Sequence, residues 1–242
     1  YTSPEAGMAD YRLYAGKPVV IKPKSTNFGL GITILKHNYD ETDFKAALQI
    51  AFEHDNTVLI EKFIPGREFR IFIINDEVVG ILHRVPANVT GDGVLNIGQL
   101  IDMKNEDPLR GKGYRTPLEK IRKGREEEMF LKQQGMDFNT VPKEREVVYL
   151  RENSNISTGG DSIDFTDDID DSYKAIAVEA AKALNVKITG LDMMIQDIHA
   201  PATPDNYAII EMNFNPAIHI HCYPFKGKNR HLNHKMIKAL GF

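Results

Sequence analysis

Two stretches near the C-terminal end decide how this chain reads: TGLDMMI, residues 189–195, and AIIEMNFNP, residues 208–216. They sit in the predicted strands Val186–Ile195 and Tyr207–Phe214. Each run is apolar apart from a few polar residues, Asp192 in the first and Glu211 and Asn213 in the second. Strand alternation puts Glu211 and Asn213 on one face. Two carboxylates and an amide oxygen are the hard donors that Mg2+ takes, with water and phosphate oxygens filling the rest of its shell. A solvent-facing strand surface would also carry such residues, but polar groups set in runs as apolar as these favour a metal site.

Working outward, Pro18–Lys24 and Ile32–Leu35 are β-branched runs on either side of a glycine-bearing loop. Gly29 and Gly31, with Ser25, Thr26 and Asn27, let backbone N–H groups approach a phosphate closely, and Lys22 and Lys24 stand just before them. No GK[ST] follows and a strand comes next, so the loop is not a Walker A motif; a plain glycine hairpin is the alternative. The spacing of Phe44, Ala47, Leu48, Ala51 and Phe52 predicts a helix over residues 42–55. Thr57–Ile64, Glu68–Ile74 and Val78–Val85, separated by Pro65-Gly66 and Asn75-Asp76, read as an antiparallel meander.

The stretch from Pro86 to Pro117 is polar and glycine-rich, with one short helix near Ile97–Met103, and so long a connection suits a lid or binding loop. A charged helix over Pro117–Gln134, a strand at Glu146–Arg151, a helix over 170–185 and a last helix, Arg230–Leu240, complete the pattern. The fold class is α+β with largely antiparallel sheets, not the regular βαβ alternation of a Rossmann fold.

Other residues offer chemistry with a bland alternative beside it. Glu61 and Glu68 bracket a turn, where they can take an adenine amino group and a ribose hydroxyl or stand as surface carboxylates. Arg84 and Arg151 each end a strand and open into a polar segment, RVPANVTGDG and RENSNISTGG, suiting a phosphate or carboxylate fork or a rim ion pair. His219 and His221 alternate beside Cys222, but a third ligand at zinc spacing is missing, so they read as partly buried strand histidines. His231 and His234 read as a surface pair on a helix.

Composition sets the outer bounds. With 242 residues, 42% hydrophobic and 26% charged, the chain can bury a real core and does not fit a disordered class. A formal charge of −4, with its cations scattered, gives no reason to expect nucleic acid. No apolar run reaches the roughly 18 residues of a membrane span. The single cysteine excludes an internal disulfide, and the expected setting is cytoplasmic.

Taken in order, KPKSTNFGLG (22–31), EKFIPGREFRIF (61–72), HRVPANVTGDG (83–93), DPLRGKGY (107–114), LRENSNISTGGDSID (150–164), GLDMM (190–194) and EMNFNP (211–216) resemble the ATP-grasp superfamily. More narrowly they are similar to the glutathione synthetase half of bacterial bifunctional glutamate-cysteine ligase/glutathione synthetases, with the ATP-grasp module of cyanophycin synthetases as nearest neighbour. The resemblance implies a lid subdomain at residues 1–62 and a larger subdomain at 63–242, together enclosing a nucleotide. It also implies ATP with Mg2+ or Mn2+, γ-glutamylcysteine and glycine as substrates, and a homodimer formed through a longer chain.

Residue by residue, it implies that Lys22, Lys24 and Ser25 to Gly31 meet phosphates, that Glu61 and the backbone near Ile64 hold adenine, and that Glu68 holds ribose. Asp192, Glu211 and Asn213 would bind metal. Arg84, Arg151 and Lys22 would be catalytic, and Asn155, Asn215 and His219 would lie near the acceptor. An earlier phosphate-binding lysine and an N-terminal substrate domain are expected before Tyr1. A ligase of the same fold with another substrate pair and a catalytically silent nucleotide-binding module are the competing readings.

Overall fold

A computed structural model describes residues 1–26, 30–36, 38–113 and 115–242. The chain divides into two compact units, Tyr1–Ile64 and Pro65–Phe242.

The first unit opens with two short helices, α1 (Pro4–Ala9) and α2 (Tyr11–Tyr14). The sequence patterns did not single them out, because six residues hold too little periodicity. Their signal is local: Ser3 caps α1 by accepting from the Ala6 N–H, and Pro4 stands at its first position. Strands β1 (Val19–Pro23) and β2 (Thr33–Leu35), helix α3 (Glu41–Phe52) and strand β3 (Val58–Lys62) follow. The sheet order is β2-β1-β3, all antiparallel. Asp40 starts α3 through a reciprocal capping box with Asp43, and the predicted apolar stripe is buried: Phe44, Ala47, Leu48 and Ala51 pack on Val19, Ile21 and Val58. Tyr11, Tyr14 and Tyr39 surround the Phe44 ring.

The second unit contains β4 (Arg67–Ile74), β5 (Glu77–Val85), β6 (Asn88–Thr90), α4 (Ile97–Lys104), β7 (Arg110–Gly111), β8 (Leu118–Glu119), α5 (Arg125–Gln133), β9 (Val147–Tyr149), β10 (Asp161–Asp164), α6 (Asp171–Ala183), β11 (Ile188–Ile195), β12 (Tyr207–Asn213), α7 (His219–Cys222) and α8 (Leu232–Ala239). Its main sheet runs β10-β5-β4-β11-β12, antiparallel throughout. Asn75 and Asp76, both with positive φ, form the two-residue turn between β4 and β5. One face of the sheet is apolar: Phe69, Ile71, Ile73, Ile81, Leu191, Met193 and Ile195 pack against Tyr173, Ala177 and Ala181 of α6. A second core gathers Val89, Ile97, Ile101, Leu131 and Val148 around the β6-β9 pair, α4 and α5.

Three expectations change. The meander is only a β4-β5 hairpin, since β3 pairs with β1 in the other sheet, where Val58 shares the α3 core. The charged helix begins eight residues late, at Arg125. Leu118 and Ile121 are buried in extended chain, and Glu127 turns back to accept the Gly124 N–H and start the helix there. His219 and His221 lie on a helical turn rather than a strand, with the Tyr223 N–H donating to the His219 carbonyl.

Candidate active site

The sheet face opposite α6 carries the polar constellation. In register, Asp192 of β11 stands between Arg70 of β4 and Glu211 of β12, and residues directly opposite across antiparallel strands share a face. Period two adds Glu68 of β4, Arg84 of β5 and Asn213 of β12. A break in register after Asp192 leaves Ile210 unopposed in β12, a bulge of the kind that re-aims side chains beside sites.

Asp192 is 2% exposed and lies at the centre of the cluster. The Arg70 guanidinium forks onto it, with Nη2 donating to Oδ2 at 2.7 Å and Nε to Oδ1, while Arg84 Nη2 donates to the same Oδ2 at 3.0 Å. Burial pushes the Asp192 carboxyl up, but the hydrogen bonds from Arg70 and the charges of Arg84 and Arg70 outweigh it and hold the group ionised below its ordinary value. Arg84 also pairs with Glu68, and Ser154 Oγ donates to Glu68 Oε2 at 2.7 Å, which ties the 152–158 segment to the face. Gly190 makes room for this: a Cβ there would lie 2.7 Å from Pro216 Cβ and 3.0 Å from Arg70 Cδ.

The donors that face outward are Glu211, which is exposed, and Asn213, whose Nδ2 donates to Glu211 Oε1 at 3.1 Å. No group of three His, Cys, Asp or Glu side chains suited to a metal occurs among the described residues. An Asn oxygen is outside that count, however, and the Asp192, Glu211 and Asn213 set offers two carboxylates and an amide oxygen on adjoining strands. Arg84 Nε is buried with no hydrogen-bond partner among the described residues, an orphaned donor beside the carboxylates that suits an anionic oxygen. The donor set therefore fits a divalent cation and a bound anion.

Other predicted residues lie elsewhere in the second unit. Arg151 does not join the Asp192 cluster: its Nε donates to Glu127 Oε1 at 2.6 Å, and its guanidinium also meets Glu126. Asn155 shapes its loop through its carbonyl, which accepts from the Thr158 and Gly160 N–H groups. Asn215 and His219 are exposed beyond the end of β12. In the first unit, Lys22 and Glu61 project from the sheet face opposite α3 and pair at 2.6 Å. Ser25 N–H donates to Asp55 at 2.8 Å, and Thr26 Oγ1 to the Leu30 carbonyl at 3.0 Å. Lys24 is exposed, Ile64 half-buried, and Gly31 takes φ +75° where a Cβ would strike Pro23 and His54. Asn27 and Gly29 lie outside the described residues.

Two features went unnoticed in the sequence. Arg70 is one, read only as part of the strand run Glu68–Ile74; its signal was a cation in the run REFRIFII, apolar enough to bury it. The other is a buried network in which Asp161 receives Arg110, Lys104 and Asn88.

Comparisons with known proteins place the chain by sequence and fold. Residues 4–99 match the family model described as D-ala D-ala ligase C-terminus. The glutathione biosynthesis bifunctional protein of Desulfotalea psychrophila is 62% identical over 242 residues, all of this chain and 31% of that protein. Its counterpart from Clostridium perfringens is 55% identical over 240 residues, covering 99% of this chain and 31% of that protein. The crystal structure of a bifunctional glutathione synthetase from Pasteurella multocida superposes with a TM-score of 0.73 at 48% identity, over 99% of this chain and 33% of the other. Fold and comparisons thus define an ATP-grasp protein, an α+β chain with largely antiparallel sheets. Within that class the chain is similar to bifunctional glutathione biosynthesis proteins, and it spans about a third of the length of the relatives it matches. No helix among the described residues is long and apolar enough to cross a membrane.

Proposed function

We propose that this chain supplies the ATP-dependent carboxylate–amine ligase centre that joins γ-glutamylcysteine to glycine. The observation that carries the reading is the convergence of Arg70, Arg84, Asp192, Glu211 and Asn213 on one sheet face, where a buried and a half-buried guanidinium hold Asp192 beside the outward-facing Glu211 and Asn213. The glycyl-accepting carboxylate attacks the γ-phosphorus of ATP, the bond to ADP breaks, and an acyl phosphate forms. Glycine's amine then attacks the acyl carbon, phosphate leaves, and the amine gives up a proton to the medium. No enzyme nucleophile is needed, because positioning and charge neutralisation lower the barrier in both steps.

Arg84, with its unpartnered Nε, takes an oxygen of the transferring phosphoryl group or of the tetrahedral intermediate. Arg70 keeps Asp192 ionised and fixed in place. Asp192, Glu211 and Asn213 would hold Mg2+ or Mn2+, which supplies neutralisation of the nucleotide's phosphate charge. Lys22 and the Ser25–Gly31 segment contact phosphates, Glu61 and the Ile64 backbone hold adenine, and Glu68 holds ribose. Arg151, released from Glu126 and Glu127, and Asn155, Asn215 and His219 belong to the acceptor side. The substrates are small and soluble, the setting cytoplasmic.

The test is ADP release by the full-length protein given γ-glutamylcysteine with glycine, against aspartate with arginine. Turnover on the first pair, nearly abolished by Glu211→Ala, is the expected result. Unchanged turnover in Glu211→Ala refutes the metal assignment, and turnover on the second pair alone refutes the substrate assignment.

A further inference from the structure

The alternation that turns Glu68 and Arg84 toward the polar face turns their neighbours, Arg67 and His83, to the other. Most of that other face is covered by α6, but where β4 begins and β5 ends it borders an open pocket of 790 Å³, walled on the far side by α4 and the β6-β9 pair. The pocket belongs wholly to the second unit and shares no lining residue with the proposed ligase face.

Its chemistry is specific. Arg67 stacks its guanidinium 5.5 Å from the Phe69 ring centre and 5.6 Å from that of Phe165, and it meets no carboxylate among the described residues. Lys104 lies 5.2 Å over the Phe225 ring and is bonded to Asp161, whose one carboxylate also serves Arg110. Counting Arg67, Lys104 and Arg110 against Asp161 and Asp107 leaves one positive charge in excess at the pocket. His83 Nδ1 lies 2.9 Å from the Glu68 carbonyl, which only accepts, so that nitrogen carries the proton and Nε2 is left as an acceptor. Burial and the Arg67 charge keep this ring neutral, with its pKa lowered to about 4. The remaining surface is apolar, with Phe165, Phe225 and Val85 among its lining.

We propose that this pocket is a second ligand site, one that takes a small monoanionic carboxylate with an aromatic or apolar body. The carboxylate meets the Arg67 fork, which its ring stacking has already oriented, and the body lies along Phe165 and Phe225. Arg67 and His83 are chain neighbours of Glu68 and Arg84, so an occupant touches the same two strands that carry the polar face.

The test uses the full-length protein with the fluorescent anion 1-anilinonaphthalene-8-sulfonate as reporter, displaced by 3-phenylpropionate or by its neutral amide. Saturable one-site reporter binding is expected, with the carboxylate displacing it at about tenfold lower concentration than the amide, as a charge-assisted contact implies. Arg67→Gln should erase that preference, Arg67→Lys should keep part of it, and Thr90→Trp, at an exposed lining position, should block the reporter. Both positions are exposed, so these variants fold. Absence of saturable binding, equal displacement by acid and amide, or an unchanged preference in Arg67→Gln overturns the proposal. None of these readouts depends on ligase turnover.

Discussion

Replacing Arg70 with Met tests whether the buried cluster is a linked electrostatic unit. The side chains of Arg70 and Asp192 are 9% and 3% exposed, and two hydrogen bonds join them. Removing one partner of such a pair typically costs about 3–5 kcal/mol, because the other charge remains buried. Arg84 stays 3.0 Å from Asp192, though it is shared with Glu68, so the low end of that range, about 3 kcal/mol, is expected. For a chain of this size that corresponds to a fall of roughly 6–12 °C in the thermal midpoint of the transition that melts the main sheet. The double variant Arg70→Met/Asp192→Leu removes both charges and leaves Arg84 to Glu68. It should return to within about 1 kcal/mol of the parent while ligase turnover stays lost, since apolar replacement of a whole buried pair is often neutral. Circular dichroism melts of the three proteins, with ADP release measured in parallel, decide the matter. A double variant no more stable than Arg70→Met, or a single variant within about 1 kcal/mol of the parent, refutes the reasoning.

Other outcomes follow from the same contacts. His83 has a depressed pKa in the folded state, about 4 against an ordinary 6.5, so the unfolded chain binds the proton first as pH falls. Its contribution is therefore complete above pH 6.5 and lost by about pH 4, and His83→Gln should flatten melting temperature against pH across that window. Gly160→Ala places a Cβ 2.7 Å from the Val85 carbonyl and 2.8 Å from that of Asn155, both backbone atoms. It should lower the sheet's stability by about 1–3 kcal/mol in denaturant titrations and weaken turnover by moving the Ser154–Glu68 contact. Lys22→Met breaks only a half-exposed pair with Glu61 and should leave the melting temperature within about 2 °C, since such pairs contribute less than about 1 kcal/mol. The same variant should raise the KM for ATP about tenfold in steady-state assays, as expected for loss of one charge-assisted phosphate contact.

Elements whose side chains alternate or repeat over a long run were legible in the sequence. The stripe Phe44, Ala47, Leu48 and Ala51 located α3, and the positive-φ pair Asn75-Asp76 located the β4-β5 turn. Strand pairing was harder to read, because Thr57–Ile64 looks the same whether its partner is the next strand or β1. What decides is that Val58 completes the core around α3, a fact of packing that no local pattern carries. The helix at Arg125 was overextended for a similar reason: Leu118 and Ile121 have helical spacing yet are buried as extended chain, and the Gly124–Glu127 cap that ends the ambiguity depends on backbone geometry.

At the site, period two brought Glu211 and Asn213 together from sequence alone, and Asp192 lands opposite Glu211 because register, not spacing, aligns β11 with β12. What the pattern could not supply is Arg70, the cation that joins Arg84 behind them. Arg70 is a lone cation in a strand run, but β4 is the middle strand of five, and both of its neighbours bring polar groups to the same face. A guanidinium is buried there opposite Asp192, and Asp192 is held ionised by hydrogen bonds from that guanidinium together with the charge of Arg84. Each residue makes sense only with its partner, which lies 122 positions away in the chain. That mutual dependence is why oxygen donors alone read as a metal site, whereas donors backed by Arg70 and Arg84 make a face suited to anionic phosphate chemistry.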